Sequence, residues 1–436
     1  MSTGSHQEDK TVSIEGIPPT WQSTPVNYLF RIVGGDGFAP ELQGESSGDL
    51  PFLKNSDISS GITRISTAAN YVSHALARRE GFSLVPPKSI LMGKIGESMK
   101  KNHRVLNTVA CCIDNNMQAM VPDVRLITPE YGLYALKLLN ATDFNNGGPV
   151  PSINNVKWKR ARIPIPLLHE QRLIANVLDD KLAKIDQAMS LLRRELETME
   201  QLKKSLIYEA VTKGLDPTVP MKPSGVDWIG DIPEHWEAKK LKFIANFGSG
   251  TTPDSGDYSY YDDGEIPWIQ SGDLYRNPRI TRTEKNVTTK AIRELSALTV
   301  YRAPFVVVAM YGASAGNTSL SEIDACLNQA CCYIRGNHHM RNEYSFYAIS
   351  SARSDLISKA QGGTQPNISQ IVLKNQVIPI PPISEQGEII RYLRAKCSSL
   401  DRAAKLKQNQ MEILANQRKS LVFEYVTGKR RASEVA

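Results

Sequence analysis

The 436-residue sequence has no apolar run of membrane-spanning length. Its most apolar short stretch, Phe305 to Met310, falls far short of the roughly 20 residues a spanning helix needs. The opening MSTGSHQEDK holds no apolar core of signal-peptide type, so a loose tail is expected over 1–13. Cysteine is sparse: Cys111, Cys112, Cys326, Cys331, Cys332 and Cys397. Two vicinal pairs and no Cys-x-x-Cys spacing argue against zinc knuckles and against a disulfide framework, which leaves free thiols in a reducing cytoplasm. The 7 histidines are scattered, and His338-His339 in a polar stretch reads as solvated surface rather than a metal site. No strong charge excess exists either. Lys+Arg 52 against Asp+Glu 45 leaves +7 and no histone-like tail, so any nucleic-acid contact must come from local patches. What remains, 41% apolar and 22% charged, is ordinary for a globular chain, and the length suits about three domains at ~150 residues each.

The chain is a duplication whose period is almost half its length. Ile14-Glu-Gly-Ile-Pro-Pro-Thr-Trp21 recurs as Ile229-Gly-Asp-Ile-Pro-Glu-His-Trp236, and Gly147-Gly-Pro-Val-Pro-Ser-Ile153 recurs as Gly362-Gly-Thr-Gln-Pro-Asn-Ile368. Ile163-Pro-Ile-Pro166 with Glu170-Gln171 recurs as Ile378-Pro-Ile-Pro381 with Glu385-Gln386. Residues 163–212 laid on 378–427 without a gap give 19 identities in 50. Between these anchors agreement is poor. Pro51-Phe-Leu53 with Asp57 resembles Pro267-Trp-Ile269 with Asp273, and Gln118-Ala119 resembles Gln329-Ala330, at drifting offsets. Each half is a divergent module followed by a preserved tail. The modules, 14–162 and 229–377, show short β-rich runs broken by Gly, Pro, Asn and Ser, which predicts mixed α/β (α+β) domains with twisted sheets.

Residues 163–214 and 378–429 read as an extended Ile-Pro-Ile-Pro segment followed by a long helix, at 170–212 and 385–427. In the first helix Leu178, Leu182, Ile185, Met189, Leu192, Leu196 and Met199 step by four and three alternately, a heptad seam. The second shows Leu393, Cys397, Leu400, Ala404, Met411, Leu414 and Leu421, with Lys407 where Leu192 predicts an apolar residue and Gln417 where Leu202 does. Polar seam residues cost stability but fix register. One seam per half suggests an intramolecular antiparallel two-helix coiled coil, a pseudo-twofold spacer with a module at either end. A linker is expected over 215–228 and a tail over 430–436. Two differing readers on a fixed spacer suit a two-part site on duplex DNA.

In this order (variable module, Ile-Pro-Ile-Pro…Glu-Gln helix, variable module, Ile-Pro-Ile-Pro-Pro…Glu-Gln helix ending in Val-Thr-Gly-Lys429) the sequence resembles the specificity subunit of a type I restriction–modification enzyme, from about Ile14 to Lys429. Leu167 departs from the usual second proline that Pro382 supplies, and Gly-Gly-Pro-Val-Pro in the first half departs from the commoner Gly-Gly-Thr-Gln-Pro. The resemblance implies two target-recognition domains, each reading half of a split asymmetric site in double-stranded DNA. It implies two adenine-N6 methyltransferase subunits and motor-nuclease subunits as partners. S-adenosylmethionine, ATP and Mg²⁺ would belong to those partners, with no cofactor, metal or catalytic residue on this chain and no membrane role.

Catalytic signatures agree with that division. The Pro-Pro pairs at Pro18, Pro86 and Pro381 lack the aromatic sequel of an Asn/Asp-Pro-Pro-Tyr/Phe adenine pocket, and Gly93-Lys-Ile-Gly96 lacks phosphate-loop spacing. Gly312-Ala-Ser-Ala-Gly316 matches G-x-S-x-G, so a serine hydrolase using Ser314 is one alternative and a coiled-coil scaffold without DNA the other. No acid and histidine partners stand out for Ser314. For DNA, phosphate contacts need exposed Lys or Arg, and base readout favours Arg on guanine and Asn or Gln on adenine. The candidates are Lys54 and Asn55; Lys157, Lys159 and Arg160 in a basic-aromatic cluster around Trp158; Gln270, Arg276 and Arg279; Gln365; and Lys374, the counterpart of Lys159. Asp57 and Asp273 read as loop caps or braces.

Overall fold

Alternate prolines hold both Ile-Pro-Ile-Pro segments extended, and each pairs with one partner strand only, where the missing proline N–H costs no second ladder. The computed structural model describes residues 16–58, 62–275, 277–362 and 365–432, so the tail expected over 1–13 lies outside the described residues. The first half runs β1 (Gln22–Pro25), β2 (Phe30–Gly34), β3 (Leu50–Leu53), β4 (Arg64–Ile65), β5 (Asn70–Val72), β6 (Ile90–Gly93), β7 (Val105–Asn107), β8 (Cys112–Ile113), β9 (Met117–Pro122) and β10 (Arg162–Ile165). After β11 (Met221–Pro223) and β12 (Asp231–Pro233), the second half repeats this as β13 (Glu237–Lys240), β14 (Ala245–Ser249), β15 (Ile266–Ile269), β16 (Arg279–Ile280), β17 (Asn286–Val287), β18 (Phe305–Ala309), β19 (Thr318–Ser321), β20 (Cys326–Leu327), β21 (Cys331–Gly336) and β22 (Val377–Ile380).

The two topologies are the same. A five-stranded sheet ordered β2-β9-β6-β7-β4 answers to β14-β21-β18-β19-β16, and a three-stranded sheet β5-β3-β8 answers to β17-β15-β20. The Ile-Pro-Ile-Pro strands pair antiparallel, β10 with β1 and β22 with β13. Strand register corrects one sequence match. Gln118 stands opposite Gly34 as Cys332 stands opposite Ser249, so Gln329 lies in the loop before β21 and is no counterpart of Gln118. The expected linker is partly ordered, since β11 within it pairs with β12.

Packing divides the chain into one unit of 1–193 with 408–436 and another of 194–407. The long helices, Leu168–Lys213 and Ile383–Val426, contribute to both. In the first unit Trp21, Tyr131, Tyr134, Trp158 and Ile163 share a core with Ile174, Leu178, Leu182, Ile185, Leu421, Val422 and Tyr425. In the second, Trp236, Leu241, Tyr344 and Ile378 pack with Ala210, Val211, Ile389 and Leu393. Tail residue Ala432 is buried in the first core, so at least the start of the expected 430–436 tail is docked.

The seam is present. Leu178, Leu182, Ile185, Leu393 and Cys397 are buried, while Met189, Leu192, Leu196, Met199, Leu400, Ala404, Met411 and Leu414 are half-buried, as two helices alone enclose a seam incompletely. Lys407, the polar intruder, donates to Glu195 at 2.6 Å, and Lys203 to Asp401 at 2.7 Å. Rising numbers on one helix against falling numbers on the other make the pairing in this unit antiparallel. Leu202 corrects the seam assignment: it is 47% exposed, and Lys203 takes the position expected of it, so Gln417 stands on the exposed face. In the first unit Arg418 bonds Asp186 at 3.1 Å.

Candidate nucleic-acid interface

The recurrent tryptophans and the Ile-Pro-Ile-Pro…Glu-Gln segments form the joints that hold each module on its helix. The indole of Trp21 donates to Glu170 at 3.0 Å and that of Trp236 to Glu385 at 2.9 Å. The next residue, a buried glutamine, does the same work in both halves. Gln171 accepts from Thr128 N and donates to the carbonyls of Leu126 and Pro166; Gln386 accepts from Arg341 N and donates to those of His339 and Pro381. Two tyrosines that sequence reading missed complete the joint. Tyr131 donates to Pro164 O at 2.8 Å and Tyr344 to Pro379 O at 2.9 Å, so each caps an Ile-Pro-Ile-Pro carbonyl that has no strand partner on that side. Their separation in the chain, close to the repeat period, was the available signal.

Opposite variation gathers on loops at one end of each five-stranded sheet. In the first module Lys94 closes β6, its N–H donating to Asn116 O at 2.8 Å and its carbonyl accepting from Ile153 N at 2.9 Å. Met310 closes β18 with the same two bonds, to Ala330 O and from Ile368 N, both at 2.8 Å. Gly35 and Gly250 lie beneath these loops, where an added Cβ would meet a carbonyl oxygen at 2.0 and 1.7 Å. Asp57 and Asp273 brace the matching turns as expected. Asp57 accepts from Lys54 N at 2.7 Å and Ala69 N at 3.1 Å, and Asp273 from Gln270 N at 2.8 Å and Glu284 N at 3.1 Å.

The candidates divide accordingly. Lys54 and Asn55 follow β3 and Gln270 follows β15, strands of the three-stranded sheets; Asn55 touches these rim loops at Asn116, and Gln365 lies three residues before Ile368. Lys54 donates to Gln43 and lies 5.3 Å from the Phe38 ring centre. Asn55 reaches Asn116 O at 3.4 Å, and its carbonyl oxygen is buried without a partner. Gln270 is half-exposed and Gln365 exposed. Arg276 lies outside the described residues. Lys157, Lys159 and Arg160 are exposed on a short helix capped by Asn154. The aromatic between them is not available to stack on a base, because Trp158 is fully buried, edge-on to Phe144 at 5.2 Å with the Arg104 guanidinium 5.5 Å above it. Lys374, in the matching helix Gln370–Asn375, lies 5.7 Å from the Phe247 ring centre. Arg279 is engaged by protein carboxylates, Glu322 at 2.5 Å and Glu343. The residue sequence reading passed over is Lys94: half-exposed, with Nζ 3.7 Å from where a Cβ on Gly34 would stand.

The G-x-S-x-G segment is a duplicated turn. Gly96 and Gly312 follow equivalent strands with φ of 69° and 70° and donate to Pro151 O and Pro366 O. Ser98 and Ser314 each turn back onto a carbonyl, of Ile95 at 2.7 Å and Tyr311 at 3.2 Å. Ser314 is therefore one copy of a structural serine, which argues against a nucleophile. Burial pushes the thiols of Cys111, Cys326 and Cys332 up to about 12 and Cys112 to about 11, so these side chains stay protonated and unreactive. Among the described residues no helix is long and apolar enough to cross a membrane, and no group of three or more His, Cys, Asp or Glu could hold a metal.

Comparison with known proteins matches residues 18–198 and 233–412 to the type I restriction modification DNA specificity domain, one copy per half. The chain is 23% identical over 434 residues to the type I restriction enzyme MjaVIII specificity subunit of Methanocaldococcus jannaschii, covering 96% of this chain and 95% of that protein. The MjaIX specificity subunit of the same organism is 31% identical over 190 residues, 43% of this chain and 42% of that one. Among solved structures, a chain from a study of complex assembly and conformational transition of the type I R-M system aligns with a TM-score of 0.67 at 16% identity, over 94% of this chain and 98% of that chain, which shows the shared fold.

Proposed function

The chain belongs to the family of type I restriction–modification DNA specificity subunits, and from that premise we propose how its parts divide the work. Each module reads one half of a bipartite, asymmetric site in double-stranded DNA through the loops at the end of its five-stranded sheet. The observation that carries this is the contrast within each module: hydrogen bonds repeat atom for atom at the helix joint, while side chains change at the rim. Lys54, Asn55 and Lys94 would face one half-site, and Gln270 and Gln365 the other, where lysine suits guanine or phosphate and the amides suit adenine. The exposed Lys157, Lys159 and Arg160 and the half-exposed Lys374 would lie on phosphates. The paired helices set the distance between half-sites and dock two methyltransferase subunits, which motor-nuclease subunits join in the cytoplasm.

Chemistry would reside in those partners. An adenine amine lies inside the duplex until the base is flipped, so this chain's task is to hold the DNA where a partner can flip and methylate it. S-adenosylmethionine, ATP and Mg²⁺ would be bound there. The test is transfer of labelled methyl groups from S-adenosylmethionine to plasmid DNA by the purified chain, by its methyltransferase partner, and by both. Transfer only by the pair is expected. Transfer by the isolated chain, or by the partner at undiminished sequence specificity, would overturn the assignment.

A further inference from the structure

The joint formed by the tryptophan, the Glu-Gln pair and the tyrosine attaches each module at the first turn of its helix. Beyond that turn the module and helix share an apolar core, and apolar contact is non-directional, so it sets the angle between them only loosely. Each module has a second attachment, which an arginine on the edge strand of its five-stranded sheet makes directly in the first half and supports through Glu343 in the second. Arg64, in β4, bonds Asp179 at 2.6 Å, and Tyr134 also donates to Asp179. Arg279, in β16 and one repeat period after Arg64, bonds Glu322 and Glu343, and Glu343 is shared with Arg394 on the long helix (Nε to Oε1 3.1 Å). Asp179 and Arg394 occupy the same position in the two helices, each nine residues beyond the Glu of the Glu-Gln pair, roughly 13 Å along the axis. The acid on the helix in one half has become a base in the other. Glu343, which is 14% exposed, supplies the negative charge that then links two arginines. Both halves thus tie the edge strand to the same place on the helix, one through a direct pair and the other through a bridging carboxylate.

We infer that Arg64 and Arg279 are positioning residues that fix the angle at which each module leaves its helix, and so restrict the enzyme to one spacer length between half-sites. This rests on the bipartite reading proposed above. Neither arginine reads a base. Both guanidinium groups face protein carboxylates, and both stand on the edge strand beside the helix rather than on the rim loops.

The test uses the assembled methyltransferase, expressed in a host without other adenine methylation, with N6-methyladenine mapped by single-molecule sequencing. The variants are R64A, R279A, and the exchange R64D with D179R, singly and together. The expected result for R64A and R279A is unchanged bases in both half-sites, with methylation at sites whose spacer is one pair longer or shorter rising about fivefold or more. The double exchange should restore the wild-type spacer preference that each single exchange loses. Should R64A abolish methylation, recovery by the double exchange still supports the inference, and failure to recover overturns it. Relaxation at a base within one half-site would also overturn it by making the arginine a reader, as would methylation with undiminished spacer discrimination. A wild-type enzyme that yields no bipartite motif would instead reject the underlying reading, and that control is scored before any variant.

Discussion

Lys94 in the first module and Met310 in the second end equivalent strands with the same two backbone hydrogen bonds, yet one is a half-exposed cation and the other a thioether buried in the core. At the helix joint the reverse holds: Trp21 and Trp236, Gln171 and Gln386, and Tyr131 and Tyr344 repeat both the residue and the position it bonds. Duplication followed by divergence has thus altered the rim and spared the joint. Buried polar groups explain the asymmetry. Removing one partner of a buried bond costs the desolvation of the other, about 1–3 kcal/mol, whereas exposed rim side chains can change at little cost to folding.

The largest expected effect comes from breaking the comparison outright. Replacing 14–160 with the matching module of a relative should change one half-site wholly and leave the other intact, as read from the methylated motif. Simultaneous change of both would deny the modules their independence. Next come the joints: W21A and W236A should each destabilise their own unit by about 3–5 kcal/mol, measured by hydrogen exchange resolved along the chain. Loss confined to one of the two variants would mean the joints are not equivalent.

A third effect should appear in the first unit only. Burial above all, then Arg418 and Arg104, pushes the Lys137 ammonium down to about 7, against the pull of Asp186 and Asp179. Aligning the helices on Tyr131 and Tyr344 places Ser350 at the same point of the second module. With its folded value depressed, Lys137 is neutral in the fold between about pH 7 and 10.5 while the unfolded chain still holds the proton. Stability of the first unit should therefore rise across that window, and the penalty for burying the charge should be fully present below it. K137M should flatten the slope and stabilise the unit at pH 6 by up to a few kcal/mol. A wild-type unit with no slope would contradict the assignment. Smallest of all, S98A and S314A should each change methylation and stability by less than about 0.5 kcal/mol. Loss of activity with S314A alone would revive the hydrolase alternative.

Much of the frame was legible because its signals are periodic or duplicated. The heptad of Leu178, Leu182 and Ile185 set the helix, and the prolines after Ile163 and Ile378 set the strand before it. Asp57 and Asp273 announced their turns because only a short acid braces two backbone amides from there. The DNA-contact candidates were not legible in the same way. Arg279 has the character of a guanine reader in sequence and is neutralised by Glu343, a residue far from it along the chain that folding brings alongside. Trp158 stands among cations in sequence and points into the core. The match of Gln118 with Gln329 failed because a strand register, invisible in one sequence, sets which residues correspond.

That two modules with one frame read two different half-sites is tested most directly by mapping N6-methyladenine across the host genome, with and without this gene. The expected result is a bipartite motif of two unlike halves at a single spacing, with methylated adenine in each half, lost when the gene is deleted. A motif that survives deletion, or one contiguous sequence without a spacer, would contradict it.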